Sequence, residues 1–304
     1  MSEEIEQARA ALNDIPGIDG VGEIVRLGGL TNLVYRVDSN QGPLCLRLPG
    51  KGTEEYIDRK VEKVNAFAAA SAGVSPEVLH FDEAGVMLSR YLEGTVTMGP
   101  EAFKTRAGAP GRAARAFRQL HVSGETFDFR FELFSMIDGY LKVLGTKEVE
   151  LPEGYHDVVG EAEAVRAALE RNPAALAPCH CDPLCENFLD TGERMWIVDW
   201  EYSGMNDPMW DLGDLSVEAG FDESQEAEMM AAYFDGAPPG ALWGRMVIYK
   251  AMCDLLWTLW GLIQHTNENP VDDFWAYAVN RFERCKRLMA EPDFATHLTA
   301  IDGT

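Results

Sequence analysis

Three polar residues in the segment 180–187 have the types and spacing of a catalytic loop: His180, Asp182 and Asn187. A carboxylate on a tight loop can accept the proton of an attacking hydroxyl, because an aspartate with a reference pKa of about 3.9 is ionised at neutral pH. An amide five residues further on can turn back toward a metal ion beneath nucleotide phosphates. The spacing therefore predicts phosphoryl transfer to a hydroxyl, with Asp182 as the general base.

A second carboxylate, Asp199, ends the apolar run Trp196-Ile197-Val198. The residues 190–193 have turn composition, so a hairpin would place Asn187 and Asp199 side by side. One carboxylate and one amide, completed by phosphate oxygens and water, suit Mg²⁺. We therefore expect Asn187 and Asp199 to hold Mg²⁺. The alternative is that Asp199 only caps the turn that follows it.

The same loop also contains four residues of zinc-ligand type: Cys179, His180, Cys181 and Cys185. Structural zinc ligands usually come as two separated pairs, and the sequence offers no second pair. A zinc-stabilised interaction protein is therefore the weaker alternative to a kinase.

Phosphate-binding groups are predicted in the N-terminal part of the chain. The turn 27–32 lies between two β-prone runs, where main-chain N–H groups can approach phosphate oxygens; its candidate residues are Gly28, Gly29, Thr31 and Asn32. Gly-Gly is also an ordinary hairpin turn. Arg47 interrupts the apolar run 44–48, where a cation is costly unless it meets an anion. We expect it to meet the phosphates and Glu62, and a solvated edge-strand position is the alternative.

The helix around 247–265 carries a candidate binding site for the acceptor. Trp257, Trp260 and Gln264 recur at spacings of three and four and so share one face. Each desolvated tryptophan ring can contribute about 2 kcal/mol to binding a quaternary ammonium. Four further residues are candidates to complete such a cage: Glu201, Tyr202, Glu218 and Tyr277. Tryptophans at this spacing are also typical of a helix that faces the core.

Most β-prone segments precede residue 93, and the pattern beyond it is mainly helical. The first part contains strands at 22–27, 33–38 and 44–48, a helix at about 53–72, and two strands around the turn 82–85. The second contains helices near 111–122, 131–144, 157–171 and 209–290, with a β insertion over 176–200. We therefore expect an α+β fold of two lobes, with a small β-rich nucleotide-binding lobe (1–92) and a larger, mainly helical catalytic and substrate-binding lobe (93–304).

The base of the nucleotide should lie between these lobes. Main-chain groups at 89–92 close the last strand of the first lobe, so Ser89 and Tyr91 are candidate nucleotide contacts. The nucleotide is taken to be ATP.

Composition narrows the classes of partner. The 304 residues carry a formal net charge of −24, which disfavours nucleic acid and anionic membranes and attracts small cations to clefts. Six scattered cysteines and an acidic N-terminus without an apolar stretch indicate a cytoplasmic protein with reduced thiols. The most apolar run, 247–263, contains Lys250 and Asp254, so we expect a buried helix rather than an integral membrane span. A homodimer is compatible with the sequence.

Together these residues resemble the choline/ethanolamine kinase family, within the aminoglycoside-phosphotransferase-like group of the protein-kinase-like fold. The similarity runs through residues 28–37, 46–48, 59–62, 75–79, 120–121, 180–187, 199–204 and 210–212. Its most specific part is 256–264, which resembles the choline-pocket helix of that family. Residues 98–115 match nothing that can be interpreted.

The resemblance implies a kinase that transfers the γ-phosphoryl group of ATP, with Mg²⁺, to the hydroxyl of choline or a related amino alcohol such as ethanolamine. It implies that Arg47 replaces the usual phosphate-binding lysine, and that Trp257, Trp260 and Tyr277 contact the ammonium, with Glu201 and Glu218 nearby. The alternatives are an aminoglycoside or thiamine phosphotransferase on the same scaffold, or a non-catalytic protein that binds amines or nucleotides.

Overall fold

A five-stranded antiparallel sheet dominates the N-terminal part of the chain. In the computed structural model, which describes residues 3–28, 32–50, 57–147 and 149–302, its strand order is β1-β2-β3-β5-β4. The strands are β1 (Ile24–Arg26), β2 (Leu33–Val37), β3 (Leu44–Leu48), β4 (Val78–Phe81) and β5 (Met87–Arg90). Helix α1 (Glu3–Asn13) packs against β1, and α2 (Arg59–Ser71) packs against β4.

Arg47 lies on the central strand of this sheet. Strand β3 pairs with β2 on one side and with β5 on the other, and Arg47 is only 4% exposed. Both edges of β3 are hydrogen-bonded to neighbouring strands, so the edge-strand alternative is wrong.

Helix α2 begins later than the sequence pattern predicts. Asp58 caps it, since its side chain accepts hydrogen bonds from the main-chain N–H groups of Lys60 and Val61. Ile57 and Asp58 are not helical, and the predicted residues 53–56 lie outside the described part of the chain. The cap fixes the orientation of Glu62, one turn inside the helix.

The C-terminal part is mainly helical. Its helices are α3 (Pro100–Thr105), α4 (Ala109–His121), α5 (Leu133–Gly145), α6 (Tyr155–Arg171), α7 (Pro208–Ala219), α8 (Glu223–Phe234), α9 (Gly240–Thr266), α10 (Phe274–Met289) and α11 (Phe294–Asp302). Its strands are β6 (Val96–Thr97), β7 (Ala177–Cys179), β8 (Phe188–Asp190), β9 (Met195–Ile197) and β10 (Gly204–Asn206). The predicted α+β fold of two lobes is confirmed, while the division at residue 92 stays a prediction.

The predicted β insertion consists of two small sheets. Strands β8 and β9 form the expected hairpin, and β6 adds to it; β7 instead pairs with β10, which the sequence pattern missed. The uninterpreted segment 98–115 forms α3 and α4 and supports this hairpin. Arg106 and Arg112 each donate hydrogen bonds of 2.7–2.8 Å to the fully buried carboxylate of Asp190 at the end of β8.

Helix α9 lies at the centre of the C-terminal part. It packs against α5, α7, α10 and α11. Within the described ranges it is the one helix long and apolar enough to cross a membrane, but 83% of its most apolar stretch is buried inside the protein. Its Asp254 is fully buried and pairs with Arg281 and Arg284 of α10. The helix is therefore a core helix, as its internal charges indicated.

Candidate active site

The loop that carries Asp182 is fixed by helix α7. The buried carboxylate of Asp211 accepts hydrogen bonds from the main-chain N–H groups of His180 and Cys181, both at 2.8 Å. The indole N–H of Trp210 donates to the main-chain oxygen of Cys181 at 3.0 Å. Cys181 has a φ of 67°, a left-handed conformation that is rare for a residue with a side chain. These bonds hold the strained peptide directly before Asp182.

Asp182 has a strongly shifted acidity. Burial and the nearby carboxylate of Glu218 raise its pKa to about 7, against the opposing effect of Arg281. This pKa lies above the reference value of about 3.9, so Asp182 is not fully ionised at neutral pH, whereas the reference value predicted full ionisation. A pKa near neutrality is well matched to general base catalysis, and a bound cation would favour the ionised form.

Asn187 and Asp199 come together across the β8–β9 hairpin. Phe188 pairs with Ile197, and the main-chain N–H of Val198 donates to the oxygen of Asn187 at 2.9 Å. The side-chain amide N–H of Asn187 donates to the main-chain oxygen of Asp182 at 3.1 Å. That bond uses the amide nitrogen and leaves the amide oxygen available to a ligand.

Asp199 has the features of a metal ligand. Its φ of 69° is left-handed, and burial together with Glu201 raises its pKa well above the ordinary value. Its buried Oδ1 atom has no hydrogen-bond partner within the described part of the chain. Carboxylate and amide oxygens are the donors that Mg²⁺ prefers. Asn187 and Asp199 therefore fit a Mg²⁺ ion.

The four zinc-type residues do not converge on one point. His180 Nε2 is hydrogen-bonded to the main-chain oxygen of Val198 at 3.0 Å, and the ring packs on Trp200 with centroids 4.8 Å apart. Cys179 bonds to the main-chain oxygen of Asn206. Where the structure is described, the close metal-capable groups are His121–Cys179–Asp211 and Glu62–Asp199–Glu201. Neither gathers the zinc-type residues of the loop. His180 instead connects the loop to Val198, which lies between β9 and Asp199.

A buried charge cluster lies beside Asp199. Arg47 forms an ion pair with Glu62, as expected, and its Nη1 lies 3.6 Å from Asp199 Oδ1. Arg59 bridges Glu62 and Glu201 with two contacts of 2.6 Å. Arg47 is thus held close to the carboxylate that fits the metal.

Glu201 lies in this charge cluster, and its predicted role as a substrate residue stays a prediction. Its carboxylate accepts hydrogen bonds from Arg59 at 2.6 Å and from the side-chain amide of Asn32 at 3.0 Å. An arginine and an amide provide stronger partners for a carboxylate than aromatic rings do. Tyr202 points the other way, and its hydroxyl accepts a hydrogen bond from the indole of Trp260 at 2.8 Å.

The structure describes only some of the predicted nucleotide contacts. Gly29 and Thr31 lie outside the described residues, while Gly28 and Asn32 flank them. Ser89 is buried in β5 opposite Cys45, so its side chain is enclosed by the sheet. Tyr91 packs against the guanidinium of Arg36 at 5.5 Å and lines a cavity of about 410 Å³ with Leu92 and Trp196. The nucleotide-binding role of these residues stays a prediction.

Four aromatic residues of the C-terminal part contact one another. This aromatic cluster consists of Tyr202, Trp257, Trp260 and Tyr277. Trp257 packs edge-on against Tyr202 at 5.4 Å, and Trp260 packs against Tyr277 at 5.7 Å. Trp257 is 3% exposed, whereas Trp260 is half-buried. The two tryptophans therefore differ: Trp257 is enclosed in the core and Trp260 is partly accessible.

Residues of α7 and α10 add charge next to the aromatic cluster. Arg281 lies over the ring of Tyr277 at 4.6 Å and pairs with Glu218 at 2.7 Å. The predicted substrate residues Glu218 and Tyr277 thus already contact a cation of the protein. Gln264, which is 2% exposed, accepts a hydrogen bond from Asn269 at 3.1 Å.

Sequence reasoning missed Asp211, Asp214 and Arg281 as parts of the site. All three are buried ionisable residues on helices that are otherwise rich in apolar side chains. Burial of such a residue without a partner is costly. A charged residue in an apolar helix therefore indicates that a partner lies nearby, and this was the signal that the sequence offered. Their partners belong to other helices, which a spacing argument within one helix does not reveal.

Known proteins share this architecture. The sequence profile of the phosphotransferase enzyme family matches residues 23–246. A solved choline/ethanolamine kinase family protein from Mesorhizobium loti is 63% identical, with 99% of each chain covered and a TM-score of 0.90. The chain belongs to the choline/ethanolamine kinase family. As a member, it is an ATP-dependent small-molecule kinase that acts on an alcohol group.

More distant choline kinase structures keep the same fold as this kinase. The choline kinase LicA from Streptococcus pneumoniae is 29% identical over 95% of this chain and 99% of its own, with a TM-score of 0.80. A structure of LicA in complex with AMP is 27% identical over 98% and 100% of the two chains, with a TM-score of 0.75.

Proposed function

We propose that this kinase transfers the γ-phosphoryl group of ATP to the hydroxyl of choline or a related amino alcohol such as ethanolamine. The observation that carries the proposal is the position of Asp182. The main-chain oxygen of Asp182 accepts a hydrogen bond from Asn187, and its electrostatic neighbours include Glu201 of the charge cluster, Glu218, and Tyr277 of the aromatic cluster. A short molecule with its hydroxyl at Asp182 could therefore place a cation at the aromatic cluster.

The chemistry that we propose is a direct displacement. Asp182 accepts the proton of the acceptor hydroxyl, while the hydroxyl oxygen forms a bond to the γ-phosphorus and the bond to the β–γ bridging oxygen breaks. ADP leaves with that bridging oxygen. Asn187 and Asp199 would hold Mg²⁺, which neutralises charge on the phosphate oxygens when bound. Arg47, oriented by Glu62, would stabilise the same negative charge from the protein side.

The proposed acceptor is a small cation because the site combines aromatic faces with carboxylates. Ammonium groups bind the faces of tryptophan and tyrosine, and a net charge of −24 attracts cations to the cleft. An aminoglycoside is a larger polycation and needs a broad carboxylate-lined cleft. The close packing of Tyr202 on Trp257 favours the smaller molecule.

We also propose that the enzyme works in the cytoplasm. All six cysteines are free in the described structure, which suits a reducing compartment. Association into a homodimer stays a prediction.

An ATP-consumption assay with choline, ethanolamine, thiamine and kanamycin tests the acceptor. We expect turnover with choline or ethanolamine that exceeds turnover with thiamine or kanamycin by at least tenfold in kcat/KM. Comparable or faster turnover with kanamycin or thiamine would overturn the acceptor class. Absence of turnover with every amine, in a protein that binds ATP, would instead favour the non-catalytic alternative.

A further inference from the structure

Four carboxylates and two arginines cluster where helices α7, α9 and α10 meet the loop that carries Asp182. Arg281 pairs with Glu218 at 2.7 Å and with Asp254 at 3.2 Å. Arg284 pairs with Asp254 at 2.6 Å and lies 3.8 Å from Glu218. Glu218 and Asp254 therefore already have cationic partners within the protein. The remaining two carboxylates are Asp182 and Asp214.

Asp214 forms no ion pair with the residues that the structure describes. It is 1% exposed, and its Oδ2 atom accepts one hydrogen bond, from the indole N–H of Trp257 at 3.2 Å. Its Oδ1 atom is buried and has no hydrogen-bond partner among the residues that the structure describes. Burial and the nearby Glu218 raise the pKa of Asp214 well above its ordinary value. A buried carboxylate oxygen without a donor is unfavourable, so a cationic donor that arrives with a ligand would stabilise the ionised form.

The surroundings of Asp214 connect it to the substrate site. Its electrostatic neighbours include Glu218, Arg281 and Asp182, and its hydrogen-bond donor Trp257 belongs to the aromatic cluster. It is thus a neighbour of both the proposed base and the aromatic cluster. A cation that rests on those rings comes close to Asp214.

We propose that Asp214 is a specificity-determining residue that favours acceptors whose ammonium carries an N–H group. This inference rests on the proposed function, because it concerns the acceptor of the same reaction. A primary ammonium such as that of ethanolamine can donate a charge-assisted hydrogen bond to Oδ1. A quaternary ammonium presents only methyl groups, so it gains attraction from the charge and from the rings but no hydrogen bond.

Asp214→Asn separates these two contributions. An asparagine side chain has one oxygen, and if the indole N–H of Trp257 takes that oxygen, the amide NH₂ group faces the substrate. Two donors then face each other when the ammonium carries N–H groups. We expect kcat/KM for ethanolamine to fall at least tenfold more than kcat/KM for choline, with KM for ATP changed by less than twofold.

The assay uses a methylation series of acceptors: ethanolamine, N-methylethanolamine, N,N-dimethylethanolamine and choline. Measured with the full-length natural enzyme and with Asp214→Asn, the loss should be large for the three acceptors that carry an N–H group and smallest for choline. Glu223→Gln, which removes one exposed carboxylate at the start of α8, is the matched control for net charge and should leave the series unchanged.

The outcomes distinguish this inference from the proposed function. If the natural enzyme phosphorylates none of the four acceptors, the proposed function fails. If it phosphorylates them and Asp214→Asn loses ethanolamine and choline turnover equally, or loses neither, the selection by Asp214 is wrong and the proposed function stands.

A second variant covers the case in which Asp214→Asn does not fold. Trp257→Phe keeps an aromatic ring in the cluster but removes the N–H that orients Asp214. We expect it to shift the ratio of kcat/KM for ethanolamine to that for choline by about threefold or more. An unchanged ratio in a folded Trp257→Phe protein would overturn the inference.

Discussion

Asp211 holds the main-chain N–H of Cys181 at 2.8 Å, so a buried carboxylate on α7 sets the position of the peptide before Asp182. The second oxygen of the same carboxylate accepts from His180 and from the ring of His121. Asp211 of α7 therefore stabilises the left-handed backbone conformation of Cys181.

The anchoring of the catalytic loop predicts a loss of kcat when it is weakened. Trp210→Phe removes the hydrogen bond to the oxygen of Cys181 but keeps an aromatic ring in the core. We expect kcat to fall about tenfold and the free energy of unfolding to fall by about 1–3 kcal/mol, while KM for ATP changes little. Steady-state kinetics and urea unfolding measure these effects. An unchanged kcat in the less stable protein would mean that Trp210 is only structural.

The ion pairs of Asp190 predict a stability that depends on pH. Burial alone would raise the pKa of Asp190, but hydrogen bonds from Arg112 and Arg106 lower it to about 2. Because this folded pKa lies below the unfolded value of about 3.9, the stabilisation is complete above that value and is lost as the pH falls from about 4 toward 2. Asp190→Asn should lower the free energy of unfolding by about 3 kcal/mol at pH 7, and the difference from the natural protein should shrink toward pH 3.

Urea unfolding at several pH values measures that difference. Glu77→Gln is the control, because Glu77 pairs with Arg90 on the surface at 3.2 Å and its removal should cost less than about 1 kcal/mol. A difference for Asp190→Asn that stays constant from pH 7 to pH 3 would contradict the assignment of the low pKa.

A variant in the charge cluster is expected to weaken ATP binding, and a variant in the aromatic cluster is expected to weaken amine binding. Arg47→Met should raise KM for ATP at least tenfold and leave KM for the amine within threefold, because Arg47 lies 3.6 Å from Asp199 on the phosphate side. Arg59 still pairs with Glu62 in this variant, so the buried carboxylate keeps a partner. A selective rise in KM for the amine would contradict the proposed role of Arg47 in binding the phosphates.

Trp257→Ala should do the reverse. Removal of the ring opens the aromatic cluster beside Tyr202 and frees Asp214, so KM for choline should rise at least tenfold while KM for ATP changes by less than threefold. Equal effects on both substrates would argue that Trp257 contributes only to the core, in which it is 3% exposed.

The proximity of Asn187 and Asp199 was predictable because the two residues are local in sequence. They meet across one hairpin, and the turn residues between them fix its register. The contact of Glu201 with Arg59 was not predictable, because Arg59 belongs to helix α2, far away in the sequence. Tertiary contacts of that kind leave no spacing pattern in the sequence.

Buried charges on the C-terminal helices show the same limit. Asp254 was visible as a charge in an apolar helix, but its partners Arg281 and Arg284 belong to α10. The segment 98–115 forms no sequence motif. It provides Arg112, whose hydrogen bond to the distant Asp190 cannot be predicted from local spacing.

Phosphorus NMR of the reaction mixture tests the central claim most directly. The enzyme is mixed with ATP, MgCl₂ and equal concentrations of choline and ethanolamine, alongside an Asp182→Asn protein whose folding and ATP binding are verified separately. The account predicts that a phosphomonoester of an amino alcohol appears together with ADP, and that Asp182→Asn forms it at least 100-fold more slowly. Release of inorganic phosphate without a phosphomonoester, or normal product formation by Asp182→Asn, would contradict it.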